Sequence, residues 1–202
     1  MIFFNVKYNI SKMANINYTG NIHLIVGPMF SGKTTELLRL LNRTKVLDIP
    51  ILLIKYNGDT RFDDKMIVTH DNISHMSTII SDGHSLGNTL KEFLTKNPST
   101  KTYIFIDEIQ FFNDGAEVCD KLANLGYFIV ACGLQGDYQR NIFPTIAKLI
   151  PLCEKITHLS AVDKESGSDC SFTKRITNDN QLEVIGGDDK YQATSRKNYF
   201  KN

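Results

Sequence analysis

Eight consecutive residues, Gly27-Pro-Met-Phe-Ser-Gly-Lys-Thr34, carry the groups needed to grip a triphosphate. They fit the pattern G-x-x-x-x-G-K-[ST] without a mismatch. Glycines let the backbone curl closely around phosphate oxygens, and the N–H groups of the loop and of the helix behind it point at the anion. Lys33 reaches the β- and γ-phosphates, and the Thr34 hydroxyl is a ligand for Mg²⁺. A second set of oxygens lies downstream, where the apolar run Tyr103-Ile-Phe-Ile106 ends in Asp107 and Glu108. Carboxylates at the carboxyl end of a strand beside the loop strand lie where the ligand crevice of a parallel sheet opens. Asp107 then joins Thr34 around the metal, because Mg²⁺ favours carboxylate and water oxygens. Glu108 faces the acceptor. The acid pair alone leaves two reactions open: water oriented for hydrolysis, or a proton taken from a substrate hydroxyl.

These groups need elements to hold them. Ile22-His-Leu-Ile-Val26 is a short apolar strand leading into the loop, and residues 33–46 have the leucine spacing of a helix. Pro50-Ile-Leu-Leu-Ile-Lys55 is a buried strand, and the polar stretch 57–75, with Asp59, Arg61, Asp63 and Asp64, reads as a loop. Helical spacing returns over 86–96 and stops before Pro98; 103–106 is a strand, 114–125 a helix closed by Gly126, 127–131 a strand and 143–151 a short helix. Strands alternating with helices imply an α/β domain with a parallel sheet covered on both faces. Beyond residue 155 short β-like pieces (156–162, 170–176, 182–185) are separated by Gly, Ser, Asp and Asn, the pattern of a small β-rich appendage. The expected organisation is a loosely ordered extension over 1–20, a nucleotide-binding domain over 21–154 and the appendage over 155–202.

Bulk properties exclude several classes. The 202 residues carry a formal net charge of +1, with Lys and Arg spread along the chain. No clustered basic excess marks a nucleic-acid partner. No signal peptide or membrane-length apolar window is evident, so a soluble cytoplasmic protein is expected. Cys119, Cys132, Cys153 and Cys170 have no close paired spacing and read as scattered buried thiols of a reducing compartment.

The interior of the loop is narrower than the generic pattern. Gly27-Pro-Met-Phe-Ser-Gly-Lys-Thr-Thr-Glu-Leu-Leu38, Ile54-Lys-Tyr-x-x-x-Thr60-Arg61, Asp107-Glu-Ile-Gln-Phe-Phe112, Gln139-Arg140 with Phe143, Thr173-Lys-Arg175, Glu183-Val-Ile-Gly-Gly-x-Asp-Lys-Tyr191 and Tyr199-Phe200 follow one another with compatible spacing. Together these segments resemble the thymidine kinases shared by vertebrate cytosol, bacteria and large DNA viruses, over about residues 21–201. The resemblance implies a RecA-like P-loop sheet with a lasso-like appendage, and ATP-dependent phosphorylation of the thymidine 5′-hydroxyl. It makes Glu108 the general base, with Lys33 and Arg61 beside the transferring phosphoryl group. It gives the nucleotide to Gly27, Pro28, Met29, Phe30, Ser31, Gly32, Lys33 and Thr34, together with Asp59, Thr60, Arg61, Asp107, Glu108, Ile109 and Gln110. It walls the nucleoside with Phe111, Leu134, Tyr138 and Phe143, places Met29, Leu134, Thr173 and Tyr191 near the thymine methyl, and has main-chain groups of Leu182, Glu183, Val184, Ile185 and Gly186 read the base edge. A homotetramer inhibited by thymidine triphosphate is also implied, with no nucleic-acid or membrane partner.

The chain departs from the family pattern at one place above all. Two C-x-x-C pairs that usually hold a structural Zn²⁺ are replaced by Asp163 and Ser166, then Ser195 and Asn198. The expectation is an appendage without zinc. Tyr138 stands where Phe is usual, adding a hydroxyl that needs a partner, and Gln135 stands where an acid is usual. A broader deoxynucleoside kinase therefore remains open. A nucleic-acid-coupled ATPase would need strand-binding basic or aromatic loops that are not evident, and a non-catalytic nucleotide-binding regulator is at odds with intact Lys33, Asp107 and Glu108.

Overall fold

A computed structural model of the chain describes residues 20–47, 49–56, 76–81, 84–96, 102–177 and 187–201. All but the last residue of the expected extension over 1–20, the loop over 57–75 and the strand over 182–185 lie outside the described residues. In chain order the elements of the main body are β1 (Asn21–Gly27), α1 (Lys33–Thr44), β2 (Ile51–Tyr56), β3 (Met76–Ser81), α2 (Leu86–Lys96), β4 (Tyr103–Ile106), α3 (Gly115–Asn124), β5 (Phe128–Leu134), α4 (Pro144–Leu149) and β6 (Lys155–His158). The six strands form one parallel sheet in the order β3-β2-β4-β5-β1-β6.

Alternation along the strands divides the core between the two faces. Ile25, Leu53, Phe105, Val130 and Cys132 pack against Leu37 and Leu41 of α1. Leu24, Val26, Leu52, Ile54, Ile104, Ile106, Ile129 and Ala131 pack on the other side with α2, α3 and α4, through Leu90, Leu122, Ile146 and Leu149. Burial of each large aliphatic side chain contributes about 1.5–3 kcal/mol, so the two faces together hold the strand edges in place. Asp114 ties the second layer to itself: its carboxylate accepts from the amides of Leu86 (2.7 Å) and Gly87 (3.1 Å), capping α2 from the start of α3.

Three expectations need correction. Strand β3 has no counterpart in the sequence reading. The strand carrying the acids does not lie beside the loop strand, since β5 intervenes between β1 and β4. The boundary at 154/155 cuts the main sheet, because β6 pairs in parallel with β1 through Leu24↔Ile156 and Ile25↔Thr157.

The appendage therefore begins after β6. Ala161–Val162 (β7) and Asp169–Cys170 (β8) pair antiparallel; Phe172–Arg175 (β9) and Tyr191–Thr194 (β10) form a second antiparallel ladder; Arg196–Tyr199 (α5) closes it. Asp163, only 2% exposed, joins these pieces. Its Oδ1 accepts from the amides of Glu165 (2.9 Å) and Ser166 (3.3 Å), and its Oδ2 accepts from the amide of Ser195 (2.7 Å) and from Asn198 Nδ2 (2.9 Å). Ser195 Oγ in turn accepts from the amide of Asn198 at 3.4 Å. The four positions that the family pattern gives to cysteines thus meet around one carboxylate.

Hydrogen bonds from Ser195 foremost, with those from Glu165 and Asn198, hold the Asp163 carboxyl well below the usual carboxylate range. Its stabilising effect is fully present above the pKa of an unfolded Asp, about 3.9, and is lost only as pH falls through the depressed folded value. Resistance of residues 161–199 to limited proteolysis is therefore expected to stay level from pH 8 down to about 5. Asp163→Asn should lower it throughout that range; a variant as resistant as the parent would deny the carboxylate this role.

Candidate active site

The loop leaves the carboxyl end of β1 through Gly27. A Cβ there would lie 2.6 Å from the Leu159 carbonyl oxygen and 2.6 Å from Ser31 Oγ, so no larger residue fits without displacement. Gly32 turns the chain into α1 with φ of 80°, the left-handed region that favours glycine. Phe30 takes a similar φ of 65° without that freedom and presents its ring to solvent, half exposed. Inside the turn the Pro28 carbonyl accepts from Lys33 Nζ (2.8 Å) and Ser31 Oγ (2.9 Å). The Met29 amide donates to Thr173 Oγ1 of β9 at 3.0 Å, which binds the loop to the appendage.

Although β5 separates their strands, the loop and the acids meet. Thr34 Oγ1 lies 3.2 Å from both carboxylate oxygens of Asp107. Asp107 and Glu108 are both buried, and the Asp107 amide keeps the sheet ladder intact by donating to Ile54 O at 2.9 Å. Glu108 itself sits at φ 53°, a left-handed conformation that costs a non-glycine residue of order 1–3 kcal/mol. What holds it there is the turn behind it. Gln110 Nε2 donates to Glu108 Oε2 at 2.5 Å, while Gln110 Oε1 accepts from the Leu134 amide at 3.1 Å. Cys132 Sγ donates to Asp107 Oδ1 at 2.9 Å. Burial first, and the adjacent Asp107 second, push that thiol well above its ordinary pKa, so it stays S–H.

Next to the acids, Phe111 stacks on Tyr56 with ring centroids 4.7 Å apart. Leu134 ends β5, and Phe143 precedes the first turn of α4. Thr173 and Tyr191 are both buried, on the paired strands β9 and β10. The Arg175 guanidinium lies 3.8 Å from the centre of the Tyr138 ring and donates through Nη2 to the Tyr191 hydroxyl at 2.6 Å. Tyr199 fixes the same loop by donating its hydroxyl to Tyr138 O at 2.6 Å. The extra hydroxyl of Tyr138 finds its partner in Gln139 Nε2 at 3.0 Å. Gln135 faces the appendage, donating to Ser171 O at 2.7 Å and meeting His158 Nε2 at 2.5 Å.

The structure thus brings the loop to Asp107, with Glu108 beside it. Ile109 is different: it is fully buried in the core beneath the acids, so its side chain cannot meet a nucleotide. Gln110 uses its side-chain amide to hold Glu108 and β5. Asp59, Thr60 and Arg61, with Leu182, Glu183, Val184, Ile185 and Gly186, lie outside the described residues. Sequence reasoning missed the partnership of Cys132 with Asp107 and that of Gln110 with Glu108. Only the two-residue step from Glu108 to Gln110 could have signalled the second.

Thr34 and Asp107 offer a hydroxyl and a carboxylate side by side, hard oxygen donors of the kind Mg²⁺ takes. A buried carboxylate, Glu108, stands one residue away. Comparison with known proteins fits that arrangement. The family model described as thymidine kinase matches residues 20–199. The thymidine kinase of Myxoma virus (strain Lausanne) is 40% identical over 186 residues, 91% of this chain and 98% of the relative. That of Sheeppox virus is 41% identical over 181 residues, 90% and 97% of the two chains. The cytosolic thymidine kinase of Bos taurus is 39% identical over 182 residues, 90% of this chain and 73% of the relative. A solved ATPase chain aligns with 73% of this chain and 68% of its own at 11% identity and a TM-score of 0.49, and the fold assignment rests on the sheet itself instead. With the loop, the acid pair and the family match in register along nearly the whole chain, this protein belongs to the thymidine kinase family.

Proposed function

We propose that the protein transfers the γ-phosphoryl group of ATP to the 5′-hydroxyl of thymidine, giving thymidine monophosphate for DNA precursor salvage. The observation that carries this reading is the placement of a buried Glu108 directly after the Asp107–Thr34 pair, in a chain whose relatives are thymidine kinases along its length. In this reading residues 27–34 hold the triphosphate, with Lys33 turning from the Pro28 carbonyl to the phosphate oxygens. Thr34 and Asp107 would hold Mg²⁺, which supplies positive charge against the β- and γ-oxygens. Glu108 takes the hydroxyl proton as the oxygen attacks, and Gln110 keeps its carboxylate aimed. Phosphoryl transfer asks little covalent chemistry of a protein, so positioning and charge stabilisation carry most of the catalysis. Arg61, with Asp59 and Thr60, would border the phosphates.

Phe111, Leu134, Tyr138 and Phe143 would wall the nucleoside, and Met29, Thr173 and Tyr191 would meet the base, with residues 182–186 reading its edge. The unit over 21–158 then serves the nucleotide, and the appendage over 160–201 encloses the nucleoside. Asp163, bonded to Ser195 and Asn198, supports an appendage built without zinc. A homotetramer restrained by thymidine triphosphate is also part of the proposal. The edge strand β6 supports an assembly, because it is solvent-facing with Ile156 43% exposed. Among the described residues no helix is long and apolar enough to cross a membrane, and a cytosolic setting follows the bovine relative.

With Mg·ATP and thymidine, Glu108→Gln is expected to lower kcat about 10²–10⁴-fold while leaving the Kd of both substrates within about threefold. No phosphorylation of thymidine by the parent protein, or equal activity in the Gln variant, would defeat the assignment. Gln110→Leu removes the bond that aims the base and leaves the Leu134 amide without that acceptor. It should lower kcat about tenfold with little change in the KM for ATP, as measured by steady-state kinetics. An unchanged kcat would release Gln110 from this role.

A further inference from the structure

The strand between the loop strand and the acid strand carries, two residues before its end, a side chain that reaches Asp107. In the sheet register Ile106 pairs with Ala131, and Ile25 pairs with Cys132. Asp107 and Cys132 each stand one step beyond the Ile106↔Ala131 pair, so they reach the carboxyl edge of the sheet at the same height. Cys132 belongs to the α1 face, the side from which Thr34 approaches. It is completely buried, and its Sγ lies 2.9 Å from Asp107 Oδ1. The Glu108 amide reaches the same oxygen at 3.1 Å. Two residues further along β5, the Leu134 amide meets the Gln110 side chain that holds Glu108. Between them a Cβ on Gly133 would lie 2.5 Å from Gln110 Oε1, so the strand is fitted closely against the residue that holds Glu108.

We propose that Cys132 is a positioning residue for the metal-holding carboxylate: its thiol hydrogen bond to Asp107 Oδ1 sets the orientation in which Asp107 serves the divalent cation. This rests on the reading of Asp107 as part of the Mg²⁺ shell. Hydrogen bonds behind a ligand orient it and tune its affinity, and a thiol is a weak donor, so the effect is graded. An aliphatic residue would fill the same space and give the carboxylate nothing.

The test is the factor by which Mn²⁺ tightens ADP binding, obtained by calorimetry from the ADP affinities with Mn²⁺ and with chelator. A purely structural change moves both affinities together and leaves the factor alone. Cys132→Ala is expected to reduce the factor about three- to tenfold, and Cys132→Ser, which keeps a donor, to restore most of it. Asp107→Asn should abolish it. If Asp107→Asn lowers the factor but Cys132→Ala does not, the positioning role is wrong and the metal reading stands. Equal losses in the Ala and Ser variants would also overturn the donor role. If Asp107→Asn leaves the factor unchanged, the metal reading falls and the inference with it.

Discussion

The contact of the Thr34 hydroxyl with the Asp107 carboxylate, made across an intervening strand, is the constraint on which the rest of the site depends. A parallel sheet opens all its strands on the same edge, and ligands of such sheets bind beyond the carboxyl ends. Here the loop strand and the acid strand are next but one in the sheet. The distance between them is closed from both sides: α1 starts at Lys33 immediately after the glycine turn, and the acids sit in the first residues past β4. Strand β5 fills the gap and is not a passive spacer. Its last residues touch Asp107 through a thiol and, by way of Gln110, steady Glu108.

A second consequence concerns the appendage. Thr173 of β9 accepts the Met29 amide, so the piece that would enclose the acceptor is bonded to the piece that would hold the donor. Arg175, two residues on, sits against Tyr138 and Tyr191 and so couples the same ladder to the loop after β5. The far end of the appendage is gathered by Asp163. A buried carboxylate taking charge-assisted bonds from two separate segments performs the joining that a metal performs where thiolates are present. It differs in kind, since its hydrogen bonds are individually weaker and can open one at a time.

Much of the site was legible because its signals are local. The glycine-lysine-threonine spacing, the strand before it, the leucine-rich helix after it and the apolar run ending in two acids each need only neighbouring residues to be recognised. Strand order is not a local property, and the expectation that β4 lies beside β1 failed on that account. Strand β3, Met76-Ser-Thr-Ile-Ile-Ser81, escaped notice because half of its residues carry hydroxyls. At strand β6 the composition changes to that of the appendage, while pairing with β1 keeps it in the main sheet. That 163, 166, 195 and 198 are not cysteines is plain from the sequence. Their replacement could not be read, because Asp163 meets Ser195 and Asn198 across 32 and 35 residues of chain. Cys132 looked like any buried thiol, for nothing in its flanking residues records that Asp107 stands beside it.

The central claim is that the acids serve transfer to a nucleoside hydroxyl and not to water. Its most direct test is the fate of the terminal phosphate in a single turnover of γ-labelled Mg·ATP with excess protein and thymidine. The label is expected to appear on the nucleoside as thymidine monophosphate, in step with ADP, and to stay in ATP when thymidine is left out. Label released as inorganic phosphate at the same rate with and without thymidine would contradict it.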